Sequence, residues 1–585
     1  MTDKSLSFQA RPIDFLLLAI WLGLISGFGE AAILVYKRAV LFFGPQVIWQ
    51  APLANACIFA IPGLALLLLA WRWPRLVSLP KAVFILIFLG ALTLLLPGSI
   101  ALYAKLILSG GLAVEAARVI RAHASGFLTI VRRTVPWVVA GLMSLAIGMQ
   151  GFHRIHERLA LAALPPSVPN APNVLLIVMD TVRAPELSLY GYNRPTTPNL
   201  ERLAKAAVVF DWAISTAPWT LPSHASMFTG RFPHELSTDW YQPLDNTYPT
   251  LAEVLSSRGY LTSGFVANFF YCSSTVGLDR GFLHYEDYPE SLGEIFRSSS
   301  LARELSKFSE ALQRGISPHK SAAEINNAFL EWTTRTKGRP FFAFLNYIEA
   351  HDSYSPPDTV DEWSLAKIVI SDAQTRAARQ AYDRAITYID HEIGRLLSEL
   401  DKRSLLKNTL VIVTADHGEQ FGSHGLFGHG YSLYRQLLKV PLLLSFPGEI
   451  PLDKRVEEVA SLRDIPATIA DLLHLKGEIP FPGSSLARYW RKPSPYSSEE
   501  ALVLSETQKT YLPQVLPSNK GNMASLINKE MHYILNGDGS EELYDFRHDL
   551  LEQHNLAHTS QDKLEEFRAY LNKTAGKGWL VHAEK

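Results

Sequence analysis

Thr409-Leu-Val-Ile-Val-Thr-Ala-Asp-His-Gly-Glu419 is the stretch on which the fold turns. From Thr409 to Thr414 every side chain is aliphatic or β-branched, the composition of a strand covered on both faces. The run then delivers Asp416 and His417 together to the end of a buried segment. A carboxylate and an imidazole carried there need a partner, and a metal ion is the natural one. Asn173-Val-Leu-Leu-Ile-Val-Met179 is a second such run and ends in Asp180. Taken alone, Asp180 reads equally as a helix N-cap or one half of a buried ion pair.

Outward from these two runs the chain alternates. Strand candidates are Val174–Met179, Thr262–Val266, Phe341–Tyr347, Leu410–Thr414 and Pro441–Phe446. Helix candidates between them are Pro198–Ala207, Thr250–Arg258, Ala373–Lys402 and Arg463–His474. This alternation predicts an α/β domain with a largely parallel central sheet, over residues 173–475, followed by a small C-terminal subdomain over 476–585. Residues 290–325 carry little periodicity and read as an insertion. In such sheets ligands bind at the carboxyl ends of strands, where Asp180 and Asp416 both fall.

A third element is Ala217-Pro-Trp-Thr-Leu-Pro-Ser-His-Ala-Ser-Met-Phe-Thr-Gly-Arg231. Thr220 stands just before a Leu-Pro-Ser turn and a short helical stretch. Its hydroxyl there is open to two readings: a nucleophile favoured by the helix terminus and a nearby metal, or, with Ser223, a plain helix cap.

The N-terminal quarter is different in kind. Apolar runs occupy Ile13–Tyr36, Leu53–Trp73, Ala82–Val114 and Val135–Gly151. They predict a multi-span α-helical membrane domain over residues 1–151. The third run reads either as one long span or as a hairpin turning at Pro97-Gly98, giving four or five helices. Five spans with a cytoplasmic N-terminus leave Lys4, Arg11, Arg72, Arg75, Lys81, Arg118, Arg121, Arg132 and Arg133 inside and only Lys37 and Arg38 outside. That satisfies the positive-inside rule and puts everything after Gly151 outside the cytoplasm, whereas four spans divide the charges almost evenly. Lys105 would then lie within a short span, where it must snorkel or pair. Glu30, the acidic residue of the first run, would face other helices or the interface. A linker over 152–172 follows, with amphipathic His153–Arg158 at the membrane surface and the stiff Leu164-Pro-Pro-Ser-Val-Pro-Asn-Ala-Pro172.

Composition sets outer bounds. The chain has 585 residues and a net charge of -1, so no global charge favours a nucleic-acid partner. Its two cysteines, Cys57 and Cys272, do not suggest a disulfide, since Cys57 lies in an apolar run.

Together the motifs resemble the sulfatase family of the alkaline-phosphatase superfamily, over roughly Asn173 to Ala557. Asn173–Arg183 looks like the opening strand and first metal segment. Tyr190-Gly191 and Arg194-Pro-Thr-Thr-Pro-Asn-Leu200 continue it, and Thr229-Gly-Arg231 closes the nucleophile motif. Ala415–Glu419 looks like the second metal segment, and Leu543-Tyr-Asp-Phe546, Glu552 and Asn555-Leu-Ala557 like the C-terminal signature. Counting back from Thr229 puts Thr220 at the nucleophile position. Formylglycine-dependent members need cysteine or serine there. His224 also stands where they carry arginine, and Thr181 where they carry a second aspartate.

These departures are similar to the threonine-nucleophile branch, the phosphoethanolamine transferases and lipoteichoic acid synthases. The resemblance implies a divalent ion held by Asp180, Thr220, Asp416 and His417. Zinc or manganese fits that donor set best, with magnesium or calcium also possible. It implies Thr220 as nucleophile. His351, which follows a strand, and His429, twelve residues after His417, are candidate catalytic or substrate-binding groups, and Arg183 and His224 candidate substrate-binding groups, with His424 weaker; for each lone histidine a structural or surface role is equally open. His429 is also open to a second metal. The implied activity is hydrolysis or transfer of phosphate esters, phosphodiesters included, or of sulfate esters, on a membrane lipid or envelope substrate. A sulfatase in the strict sense and a catalytically weak lipid-binding or sensing protein are the alternatives. A reporter fused after Leu164 is expected to report an extracytoplasmic location, and a cytoplasmic signal there would reject the five-span arrangement.

Overall fold

The structure, a computed structural model, describes residues 10–37, 44–240, 242–288, 292–308, 319–336, 338–351, 371–491, 502–511 and 516–575. Lys4 and Arg38, both used in the sequence reading, lie outside the described residues. The chain divides into two compact units, residues 1–159 with 288–318, and residues 160–287 with 319–585.

The first unit is helical: α1 (Pro12–Tyr36), α2 (Val47–Arg72), α3 (Leu79–Leu95), α4 (Leu102–Ala122) and α5 (Ala124–Ala163). Among the described residues three helices, α1, α2 and α5, are long and apolar enough to cross a membrane, and α3 is a shorter apolar helix. The ambiguous run is thus a helical hairpin rather than one span, because Pro97-Gly98 breaks it between α3 and α4. Lys105 is nearly buried and donates from Nζ to the Leu96 carbonyl, 2.8 Å away, one of the carbonyls that the broken helix leaves over. Part of the expected linker is corrected as well. Helix α5 continues to Ala163, and only the proline-rich stretch after it is non-helical.

Helices α1 and α2 touch at backbone distance. A Cβ on Gly27 would fall 2.4 Å from the Pro52 Cα, so only glycine fits there. At the base of the bundle Asp14 accepts two hydrogen bonds from Arg132, at 2.7 and 2.6 Å. Glu30 is fully buried and accepts from Asn55 Nδ2 at 2.8 Å and from the Ser300 backbone N–H at 2.5 Å. Ser300 belongs to two short helices, Leu292–Arg297 and Ser300–Ser306, that pack with this unit.

The second unit is built on a sheet of β1 (Asn173–Met179), β2 (Val208–Ile214), β3 (Leu261–Val266), β4 (His284–Glu286), β5 (Phe341–Tyr347), β6 (Thr409–Thr414), β7 (Lys439–Val440), β8 (Leu442–Ser445) and β9 (Lys454–Ser461). The order is β9-β2-β8-β6-β1-β5-β3-β4, with β7 also on β2. It is an α/β sheet, but mixed. β8 runs antiparallel to β6 and β2, and β7 antiparallel to β2. The reason lies in the chain path. After β6 the segment 415–438 stays at the carboxyl edge, so the chain re-enters the sheet from that edge and must run backwards. β2 and β9 escaped the periodicity reading because they are interrupted by charge, Asp211 in one and Lys454, Arg455, Glu457 and Glu458 in the other.

Helix α6 (Thr220–Thr229) follows β2 and packs on the sheet, with Phe228 edge-on to Phe344 at 5.1 Å. The helix Ala322–Thr333 packs on β3 and β5, and the long α7 (Asp372–Lys402) packs beside it, with Ile386, Ile389, Ile393 and Leu396 all buried. Beyond residue 475 an antiparallel sheet of β10 (Val503–Thr507), β11 (Met523–Ile527), β12 (Met531–Leu535) and β13 (Glu541–Asp545) carries the helix Gln561–Thr574 on one face. The Phe344 side chain is fully buried under α6. Phe344→Ala should cost about 3–5 kcal/mol and lower the melting temperature of the purified chain; an unchanged melting temperature would show that α6 does not depend on it.

Candidate active site

Two parallel strands set the site. β1 pairs with β6 from Asn173 opposite Thr409 to Val178 opposite Thr414. Continuing that register by two residues brings Asp180 beside Asp416. His417 is next in the chain, and candidate ligand atoms of Asp180, Asp416 and His417 lie within 4.8 Å of one another. All three side chains are fully buried.

The backbone around them is bent to serve them. Thr181 has φ of +60°, a strained value for a β-branched residue. That conformation turns its N–H onto Asp416 Oδ1 at 3.1 Å, which also accepts from the His417 N–H at 2.8 Å. The Thr181 hydroxyl is held by the Asp180 and Ala350 carbonyls, 2.7 Å from each. Gly418 is needed where the chain runs against Gln436, since a Cβ there would sit 2.1 Å from the Gln436 carbonyl oxygen.

Thr220 opens α6, with its side chain 1% exposed. Its Oγ1 lies 3.3 Å from His417 Nε2 and 3.5 Å from Asn268 Nδ2. Asn268 also donates to Asp180 Oδ2 at 2.8 Å, and Asn346 reaches the same oxygen at 3.4 Å. Sequence reasoning missed both asparagines. Each is a polar residue at or just past the end of an apolar strand, the same signal that singled out Asp180. Ser215, also passed over, and Ser223, read as a cap, both donate to the Asp416 carbonyl.

The remaining expected residues fall into two groups. His429 and His351 come together at the site, with ring centroids 4.9 Å apart and His429 4.6 Å from His417. His429 Nδ1 faces Glu419 at 3.2 Å. Arg183 and His224 lie inside the protein. The Arg183 guanidinium pairs with Glu186 and donates to the Glu419 carbonyl at 3.0 Å. His224 is fully buried beside Phe344 and donates from Nδ1 to the Thr220 carbonyl at 2.8 Å. His424 stacks on Tyr434 at 3.6 Å. Trp219, Trp240 and Tyr431 form an aromatic column beside His429, with Trp219 and Trp240 3.7 Å apart.

The electrostatics ask for a cation. Burial, with the charge of Asp416 added, pushes the Asp180 carboxyl up to about 6. Burial pushes Asp416 up to about 7 and pulls His417 down to about 3, the latter helped by His429. Asp180 Oδ1 and Asp416 Oδ2 are buried with no hydrogen-bond donor. Two lone carboxylate oxygens and a neutral imidazole nitrogen around one point suit a divalent metal ion, which would satisfy all of them.

Residues 172–475 match the family model for Sulfatase. The chain is similar to an arylsulfatase of Clostridium perfringens, 24% identical over 372 residues, covering 52% of this chain and 75% of that protein. It is also similar to an ulvan-active sulfatase of Formosa agariphila, 26% identical over 359 residues, covering 58% and 68%. Among solved structures it resembles a phosphonate monoester hydrolase of Silicibacter pomeroyi, with TM-score 0.55, 20% identity and coverage of 69% and 94%. A phosphonate monoester hydrolase of Agrobacterium radiobacter gives TM-score 0.54, 22% identity and coverage of 68% and 96%. Asp416→Ala or His417→Ala should empty the site of metal in elemental analysis and abolish activity together. Full metal occupancy in both variants would mean that other residues hold it.

Proposed function

The chain belongs to the sulfatase family, and from that membership we propose that it is a metal-dependent hydrolase of sulfate or phosphate esters whose nucleophile is the hydroxyl of Thr220. The supporting observation is the placement of Thr220 Oγ1 at the start of α6, 3.3 Å from His417 Nε2 and beside the amide that holds Asp180. The curated relatives are sulfatases, which favours a sulfate ester. A phosphate ester is the second reading, favoured by threonine at a position where oxidation to formylglycine is not available.

A divalent ion held by Asp180, Asp416 and His417 would supply Lewis-acid stabilisation of the oxyanion and lower the pKa of a neighbouring hydroxyl. The chain's own groups do the rest. Asn268 and the Thr220 carbonyl anchored by His224 fix the direction of the Thr220 hydroxyl. Oγ1 gives its proton to solvent and forms a bond to sulfur or phosphorus. The ester bond breaks, and its oxygen leaves with the electron pair. His351, half-buried at the rim, gives that oxygen a proton. His429, oriented by Glu419 at Nδ1, lines the substrate side of the site beside His417. Water then attacks the sulfur or phosphorus and gives its proton to His351, the bond to Oγ1 breaks with its electron pair going to Oγ1, and Oγ1 takes a proton back from solvent as the sulfate or phosphate leaves. An acceptor hydroxyl in place of that water would turn the same steps into a transfer.

The apolar helices add a location to this reading. With α1, α2, the α3–α4 hairpin and α5 in a bilayer, the catalytic unit is an extracytoplasmic domain of an integral membrane protein, and its substrate is an ester of a membrane lipid or of the cell envelope.

Thr220→Ala should retain bound metal and lose activity by at least about a thousandfold on a panel of aryl sulfates, phosphomonoesters and phosphodiesters. Thr220→Ser should retain measurable turnover. Brief reaction with a substrate carrying a good leaving group should add mass to the peptide containing Thr220, and the size of that mass separates a sulfuryl from a phosphoryl group. Wild-type turnover by Thr220→Ala would sink the assignment.

A further inference from the structure

Trp212, on β2, is half-buried and faces the C-terminal sheet, in the cluster that joins Ile214 to Phe546 and Tyr544. Three cations gather on this one indole. Lys439 Nζ lies 3.7 Å from the ring centroid, and the guanidinium carbons of Arg435 and Arg547 lie 4.7 and 5.1 Å from it. Arg435 is 5% exposed and Lys439 8%. Side chains of this type are almost never so buried unless paired.

They are not paired. Among the described residues none of the three has a carboxylate within 4.0 Å, and the Lys439 ammonium has no hydrogen-bond acceptor. The carboxylates nearby are otherwise engaged. Asp211 is taken by Arg455. Glu552 accepts from the Arg435 backbone N–H at 2.9 Å and faces His532 at 2.5 Å. Asp549 caps the Gln553 and His554 N–H groups at 3.1 and 2.7 Å. Arg435 spends one donor on the Phe546 carbonyl, and Arg547 spends two on the Lys529 and Glu457 carbonyls. The other guanidinium donors are left over. Burial, and then Arg435 beside it, pull the Lys439 ammonium down to about 7, with Asp211 opposing. Arg435 also lies 5.0 Å from the Phe546 ring, but three cations gathered at one indole still repel one another.

We propose that Arg435, Lys439 and Arg547 form a binding site for a tetrahedral oxyanion, phosphate or sulfate, over Trp212 at the junction of the main and C-terminal sheets. Guanidinium forks match the oxygen edges of such an ion, and a lysine supplies a point charge to the remaining oxygen. Half-buried Trp212 and Arg547 leave a way in from solvent. The turn between the two buried cations is bonded to the catalytic segments, through Leu437 to Gly418 at 2.8 Å and through Leu438 to Ser215 at 2.9 Å. The site is therefore separate from Thr220 but rests on the same backbone. The anion is either a free ion or an anionic group carried on a larger molecule, and the two sources share this chemistry.

The test uses the full-length chain in detergent, with Asp416→Asn and Thr220→Ala present so that ion capture at the catalytic centre is suppressed. Equilibrium binding of radiolabelled orthophosphate should weaken by at least about tenfold on adding Lys439→Met, and on adding Arg547→Gln. Orthophosphate and sulfate should raise the melting temperature of the parent and not of either variant. If Lys439→Met fails to fold, Arg547→Gln at the half-buried rim carries the test by itself. Tighter binding of a sugar phosphate monoester than of orthophosphate assigns the site to an anionic group on a larger molecule, and the reverse assigns it to the free ion. Orthophosphate binding that is unchanged in the folded variants overturns the proposal.

Discussion

Asp180 and Asp416 end neighbouring parallel strands, so the register of β1 on β6 carries two carboxyls into one dry space. At close range in a low dielectric they repel each other, and neither reaches water. Much of the second unit reads as a response to that. Backbone N–H groups of Thr181 and His417 turn onto Asp416, and Asn268 and Asn346 turn onto Asp180. One oxygen of each carboxylate still lacks a donor. A cation is the remaining way to settle the charge, and Thr220 and His417 are placed where it would act on a hydroxyl. The strain at Thr181 belongs to the same arrangement, since relaxing its φ would withdraw an N–H from Asp416.

The parts of this that sequence shows are those in which one side chain type has one physical use. Apolar runs of six or seven residues marked β1, β5 and β6 within a residue or so, because strands covered on both faces allow little else. Asp416 and His417 were conspicuous for the same reason: charge at the end of such a run needs an explanation. β2 and β9 were not legible, since the charged residues along them hide the strand pattern. Asn268 and Asn346 were missed because an amide at a strand end has many ordinary uses, and only the geometry shows that both serve one carboxylate.

The candidate histidines show the limit from another side. His224, His351, His424 and His429 look alike in sequence. In the fold His224 is packed beneath α6, His424 lies flat on a tyrosine, and His351 and His429 meet at the site. Chain neighbours do not distinguish these fates. They depend on which strand ends are adjacent, a property of the sheet order.

The weak pattern of residues 290–325 has a related cause. Periodicity reports burial against an apolar core, and part of this segment is instead ordered by polar contacts to the helical unit. Ser299 donates to Asn55 at 2.9 Å, the Ser300 N–H donates to Glu30, and Arg303 lies 3.8 Å from the same carboxylate. Leu301 joins one apolar cluster of that unit and Ile295 packs against another. A buried glutamate on an apolar helix is costly without partners, and Asn55 alone leaves one of its oxygens bare. The Ser300 N–H and Arg303 are what complete it, so the helix pair after Tyr288 and helices α1 and α2 each explain a feature of the other. Glu30 looks out of place in an apolar run, and the insertion looks featureless, for the same reason: each was read without the partner that the fold supplies.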